Sequence, residues 1–323
     1  MRKVLLSVIA CLAILIPAVG TSQAAVVTVG SPLTQPFAPT AAARSGTVIN
    51  AALPGGGLVA SPVSGVVIRW RVGGAEGGPM RVRVLRPTAG GAYTGAGTGP
   101  DTVVPPGSPA TLTFPVSLPI QAGDVIGVDL PEDTKIGTFA PSSASFGAWE
   151  GFVPDGSTLA PEEVKPGREI GFNADVLPPP TATAVKPASG SFKGGGKLTI
   201  EGTNLIEVSA VGFGGIPATS IASSSESTLT VVAPKAPKPG RVGVTVRTPA
   251  GTATVPTLYA YKACKVPALR GKTLAKAKKK LKKAGCKVGK VKRLPGGTGK
   301  VTAQKPKPGK LKAPGAKVKV TVG

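Results

Sequence analysis

The sequence predicts a mainly β protein: two β-sandwiches, the first jelly-roll-like, then a small α+β unit with one helix on a three-stranded sheet. Three observations carry that reading. Glycine at 45 positions and proline at 34, against 4% aromatic residues, imply many turns and little helix. Short Val/Thr/Ile runs lie between Gly/Pro clusters, which is the pattern of antiparallel sandwiches. A helical period is evident over Thr273–Gly285, inside a terminal segment whose charge is unlike the rest.

The chain opens MRKVLLSVIACLAILIPAVGTSQAA. Arg2 and Lys3 precede an apolar run, Val4–Val19, that Pro17 and Gly20 bring to an end, and small residues follow. Residues 1–24 therefore read as a signal peptide cleaved after Ala24. The run falls short of the ~20 residues of a spanning helix, so no transmembrane segment is expected after cleavage. The mature chain is expected outside the cytoplasm, secreted and extracellular or associated with the cell wall. Two alternatives are an uncleaved anchor and lipidation of Cys11, where Val8-Ile9-Ala10-Cys11 resembles a lipobox. Cleavage would leave Cys264 and Cys286, an even count in an oxidising compartment, and these are expected to form a disulfide.

Residues 25–177 form the first expected sandwich. Strand candidates are Gly65–Val72, Met80–Leu85, Thr111–Val116, Asp124–Leu130 and Glu169–Val176. In the second of these, Met80, Val82 and Val84 alternate with Arg81 and Arg83, which places the apolar set on one face. Val67, Arg69 and Arg71 alternate with Ile68, Trp70 and Val72 in the same way. Leu118–Asp124 reads as a turn leading into a strand.

Catalysis is not expected. The chain has no histidine, the usual general base and commonest metal ligand, and no cofactor or metal is implied. Glycoside hydrolysis by a carboxylate pair is the remaining enzymatic alternative. Its candidates are Asp124, Asp129, Glu132, Asp133 and Glu150, although Asp129–Asp133 reads as a polar loop after a strand. Trp70, Tyr93, Phe146 and Trp149 are the aromatics a sugar-stacking platform would use. Core packing is the preferred reading for the set. Trp149, in the loop-like SASFGAWEGF, is the better glycan-contact candidate.

Pro178-Pro179-Pro180 reads as a stiff, extended spacer. Residues 178–262 follow, with strand candidates Lys197–Gly202, Val208–Phe213, Thr228–Val232 and Arg241–Arg247. A small seven-stranded sandwich fits. Pro187–Gly190 with Gly194-Gly195-Gly196 and Leu198–Asn204, then Val211–Gly215, Pro249–Gly251 and Tyr259–Tyr261, resemble the IPT/TIG family of immunoglobulin-like domains. The resemblance implies a spacer or adhesive module and no catalytic residue.

Residues 263–323 carry the charge. From Cys264 onward there are 18 Lys, 2 Arg and no acid, which is +20 of the chain's +24. Leu274, Ala277, Leu281 and Ala284 make one narrow apolar stripe on a helix that Thr273 caps and Gly285 ends. Lys276, Lys278, Lys279, Lys280, Lys282 and Lys283 fill the remaining arc. Strands are expected at Cys286–Lys292, Lys300–Gln304 and Lys317–Val322. Val266-Pro267, Gly271–Leu274, the helix ending in Lys-Ala-Gly285, Val288–Val291, Gly299–Val301, Gln304–Gly309 and Gly315–Val320 resemble a PASTA domain. That resemblance implies attachment to the cell wall. Leu294–Gly299 resembles a sortase signal with one residue too many and no apolar helix after it, and reads as a hairpin turn.

Lysine runs also occur in nucleic-acid binders. This segment holds no aromatic residue on which bases would stack, so nucleic acid is not the expected partner. The expected partners are peptidoglycan or anionic wall polymers, met by the six helix lysines. The runner-up is an adhesin or carbohydrate-binding protein acting on glycans through its first sandwich.

Overall fold

The computed structural model describes residues 26–106, 111–140 and 142–323. The signal-peptide reading and Cys11 lie outside these residues.

Two sheets face each other in the first unit. One has the strand order Val27–Gly30, Phe172–Leu177, Gly65–Gly73, Thr111–Ile120. The other runs Thr158–Leu159, Tyr93–Thr98, Gly77–Pro87, Val125–Leu130, Gly46–Ala52, Ser145–Ala148, Glu163–Pro166. A smaller sheet joins Glu169–Ile170, Lys135–Phe139 and Ala38–Ala41. Strand Gly65–Gly73 lies in the sheet opposite both Gly46–Ala52 and Gly77–Pro87, and Thr111–Ile120 lies opposite Val125–Leu130. The chain thus crosses the core repeatedly, as a jelly-roll-like sandwich does. Val67, Trp70, Val72, Met80, Val82, Val84 and Val128 fill the space between the sheets.

The simple period of two fails at two places. Val67 and Trp70 are both buried in this core, although strict alternation sets them on opposite faces. The register slips between Val67 and Arg69 against both neighbouring strands, so a bulge brings the two side chains to the same face. Arg83 is not on a solvated face but buried, beside Asp129. The second sheet is covered on its outer side too, by a smaller cluster of Ile49, Leu85, Val125, Trp149 and Val153. Asp129 accordingly lies in a fully buried strand, not in a polar loop. Strand Thr111–Ile120 also runs through Leu118 and Ile120, which are core residues, and turns only at Gln121–Asp124.

The second unit has three sheets around its own core. Thr181–Lys186, Lys197–Thr203, Thr228–Val232 and Ser220–Ser224 form one, and Ile216–Pro217, Ala210–Phe213, Val244–Thr248 and Gly251–Thr254 a second. Ser189–Ser191, Tyr259–Lys262 and Gly240–Val242 form the third. The expected strand Arg241–Arg247 divides at Gly243 between two of them. The hairpin at Gly214 and Gly215 needs φ of +59° and +85°, which only glycine adopts freely. Phe213, Tyr259 and Tyr261 pack edge to face at its centre.

In the third unit the helix Leu274–Lys283 lies on a sheet with Lys317–Val322 in the middle, flanked by Lys287–Arg293 and Val301–Lys305. Thr273 caps the helix by accepting the Lys276 N–H, and Gly285 leaves it at φ +70°. Ala277 and Leu281 are buried against Val318, Val320 and Val322. The first flanking strand is parallel to the central one and the second antiparallel, so Leu294–Gly299 does not close a hairpin. It passes over the end of the central strand, where the Leu294 N–H donates to the Val322 carbonyl. The disulfide Cys264–Cys286 is present, its Cα atoms 4.9 Å apart, and both residues belong to the core.

Candidate functional site

Helix geometry fixes where the lysines go. Two residues of the apolar stripe, Ala277 and Leu281, turn fully inward, and the other two, Leu274 and Ala284, are half-buried. Everything else on the helix must face water. Lys276, Lys278, Lys279, Lys280, Lys282 and Lys283 are all exposed. A shallow cleft of about 510 Å³ opens between Lys276, Lys279, Lys280, Lys282 and Lys283, leaving Lys278 outside. Lys280, Lys282 and Lys283 sit in the last turn, where the helix dipole favours cations. Lys276 sits in the first turn, where it does not, and no acid accompanies it there.

No carboxylate side chain follows Glu226 in the sequence, so these ammonium groups have no counter-charge within their domain. Among the described residues, every ion pair joins positions between 44 and 207. No acidic side chain of the domain neutralises the field of the helix face.

The sheet contributes a second group of cations that the sequence reading did not single out. Lys290, Lys292, Lys305 and Lys319 border a trough of about 680 Å³ together with Ala303 and Thr321. The alternation of Lys317, Lys319 and Thr321 with three buried valines was the available signal. The bulge between Val288 and Val291, which turns Lys290 and Lys292 to the Lys319 side of the sheet, was not.

The first sandwich treats its candidates differently. Trp149 is only 4% exposed. Its indole N–H donates to the Leu159 carbonyl at 3.3 Å and its ring meets Tyr93 edge-on at 5.4 Å. The chain after Trp149 folds back over the second sheet, and the indole fills the space beneath, so it presents no open face to a sugar ring. It does border a cleft of about 530 Å³, floored by Val48, Phe146 and Ile170 and rimmed by Arg44, Glu150, Glu162 and Arg168. Phe146 is the half-buried aromatic there, and Trp70 is core.

The carboxylates are mostly structural. Both Asp124 oxygens accept from Arg86, at 2.8 and 3.0 Å. Asp129 accepts from Arg83 through both oxygens and from Thr47 at 2.6 Å. Glu150 pairs with Arg44 at 2.8 Å, and Glu132 and Asp133 stand exposed in a turn. Among the described residues no His/Cys/Asp/Glu group is placed to hold a metal ion, and no helix is long and apolar enough to cross a membrane.

The chain matches known families in two places. Residues 180–261 match the IPT/TIG domain and residues 265–323 the PASTA domain. The chain carries an IPT/TIG domain followed by a PASTA domain. Residues before 180 match no family. Neither domain is catalytic, and together they mark an extracellular or cell-envelope protein.

No curated protein matches the chain. Among solved structures, the plexin A4 extracellular region is similar at 15% identity over 62% of this chain, with a TM-score of 0.30. A second form of the same region gives 14% identity and 0.30. SGBP-B, from a complex xyloglucan utilization locus in Bacteroides uniformis, is 16% identical over 72% of this chain and 51% of its own, with a TM-score of 0.25. The chain spans 17% and 14% of the two plexin chains. At these scores the likenesses carry no functional argument.

Proposed function

We propose that this is a secreted, non-catalytic protein of the cell envelope, held at the wall by its PASTA domain through anionic wall polymers or peptidoglycan. The observation that carries the reading is the helix face of six exposed lysines in a domain without a single carboxylate side chain. Solubility alone is served as well by mixed charges, which also support a helix through pairs four residues apart. An all-lysine face forgoes that support and favours a polyanion. Lys276, Lys278, Lys279, Lys280, Lys282 and Lys283 are the residues assigned to it. The IPT/TIG domain and the first sandwich are then carried outward from the anchor.

Sedimentation of the full mature chain with purified sacculi tests this. Binding should fall steeply as salt rises above ~0.15 M, where the Debye length is already ~8 Å. Lys278, Lys279, Lys282 and Lys283 changed together to Gln should weaken binding, so that the protein leaves the sacculi at a lower salt concentration than wild type. Equal sedimentation of that variant, at every salt concentration, overturns the assignment to the helix.

A second reading, glycan binding by the first sandwich, rests on the cleft beside Trp149. Its apolar floor and paired Arg44 and Glu150 rim offer stacking, donors and acceptors together. Phe146, more than Trp149, is the residue whose replacement by Ala should weaken a sugar there.

A further inference from the structure

We propose that the outer face of the C-terminal sheet is a second polyanion site, so that one PASTA domain holds two anionic polymer chains at once and bridges them. The inference rests on the wall-polymer reading of the helix and goes beyond it.

The domain has two layers, and each has one face to spare. The helix spends its apolar stripe on the sheet, and the sheet spends Val318, Val320 and Val322 on the helix. Side chains alternate across a strand, so Lys319 and its neighbours point the other way. Lys290, Lys292, Lys305 and Lys319 line a trough on that side, with the Thr321 side of the strand among them. The helix lysines and the sheet lysines are therefore on opposite surfaces of the domain. At least one helix diameter, about 10 Å, separates them, and that exceeds the Debye length at physiological salt. A polymer neutralising one face leaves the field of the other intact.

The strand register argues that this arrangement serves binding. Lys305 stands directly opposite Lys319 in the antiparallel pair, and Lys287 is in register with Lys317 in the parallel one. Like charges facing each other across a ladder destabilise a sheet, and a glutamate at any one of these positions would relieve it. The domain has none. A cation row on a flat trough suits an extended chain carrying a charge at each repeat, such as a phosphodiester-linked polymer. Nucleic acid shares the phosphates, but this domain has no aromatic ring to stack its bases.

The test uses the full chain and long-chain inorganic polyphosphate, reading binding by co-migration and bridging by light scattering over a range of protein-to-polymer ratios. Wild type should bind and should scatter strongly at intermediate ratios, then less when either component is in excess. A variant with Lys290, Lys292, Lys305 and Lys319 changed to Gln should bind and lose the scattering. A variant with Lys278, Lys279, Lys282 and Lys283 changed to Gln should also bind without scattering. If the sheet variant unfolds, the pair Lys305→Gln and Lys319→Gln removes the facing charges with less change. Scattering by the sheet variant equal to wild type overturns the second site, as does complete loss of binding in the helix variant. Absence of any binding by wild type overturns the wall-polymer reading itself. Tighter capture of unstructured single-stranded DNA than of polyphosphate overturns the choice of polymer.

Discussion

Arg83 shows how one side chain can be misplaced by a sound rule and still be explained. Alternation along Gly77–Pro87 points it away from the main core, and it does point away. A second layer of chain covers that side, so the guanidinium is 4% exposed and lies between Asp129 and Asp155. Removing one partner of a buried pair leaves the other charge uncompensated, at a cost of about 3–5 kcal/mol. Arg83→Ala should therefore lower the unfolding free energy of the first unit, read from chemical denaturation, by that amount, and Asp155→Ala, at the exposed end, by much less. Cysteine gives a second prediction. The bridge closes a loop of 22 positions, for which chain entropy gives about 3 kcal/mol. Cys264→Ser should destabilise the PASTA domain by roughly that much, seen as an early thermal transition that reducing agent reproduces in the native protein.

At the scale of elements, the helix Leu274–Lys283 was the most legible piece of the sequence. Its cap, stripe and terminal glycine all lie on consecutive residues, so local chemistry alone specifies it. The strands were legible as existing, and their faces were legible wherever a single core lay on one side. The bulge after Val67 and the crossing at Leu294–Gly299 were not, because register and strand order depend on partners far away in the chain. The same limit applies to the candidate sites. Six lysines on one helix were readable from spacing, whereas the sheet trough assembles residues from three strands. The helix also separates stability from binding. Thr273 and Lys276 occupy the first and last places of a capping box, with lysine where glutamate would reach back. Lys276→Glu should stabilise the helix by about 0.5 kcal/mol through the dipole and Lys280, four residues on. It should at the same time weaken retention on sacculi. A variant that melts higher and binds less is the expected pair of measurements; one that melts lower contradicts the capping argument.

The whole molecule is joined by short connections. Pro178, Pro179 and Pro180 alone separate strand Phe172–Leu177 from Thr181–Lys186, and two of the three are buried. The spacer expected from three prolines is therefore a fitted joint. Arg69 strengthens it, lying 2.9 Å from Asp175 in its own unit and 3.2 Å from Glu207 in the next. Burial, the largest influence on Asp175, pushes its carboxyl up. Hydrogen bonds from Arg71 and Thr28 with the charges of Arg71 and Arg69 outweigh it and hold the group below the ordinary range. A depressed carboxyl stabilises the fold fully above the unfolded value near 3.9 and loses that contribution as pH falls through the lowered one. Acidification below about 4 should thus loosen the joint, which X-ray scattering would report as a larger radius of gyration; Asp175→Asn should show the change already at neutral pH. The second joint is shorter still, with Ala263 alone between strand Tyr259–Lys262 and Cys264. If the lysine face is moored to a wall and the rest of the chain is dragged by flow, tension enters at that alanine and reaches the disulfide before any other part of the domain. Without the bond, the 22 positions up to Cys286 could pay out to some 70–80 Å at about 3.3–3.6 Å per residue. With it, the two ends stay 4.9 Å apart under load. The segment bearing the mooring lysines is a covalently locked ring, and an outward pull cannot unreel it.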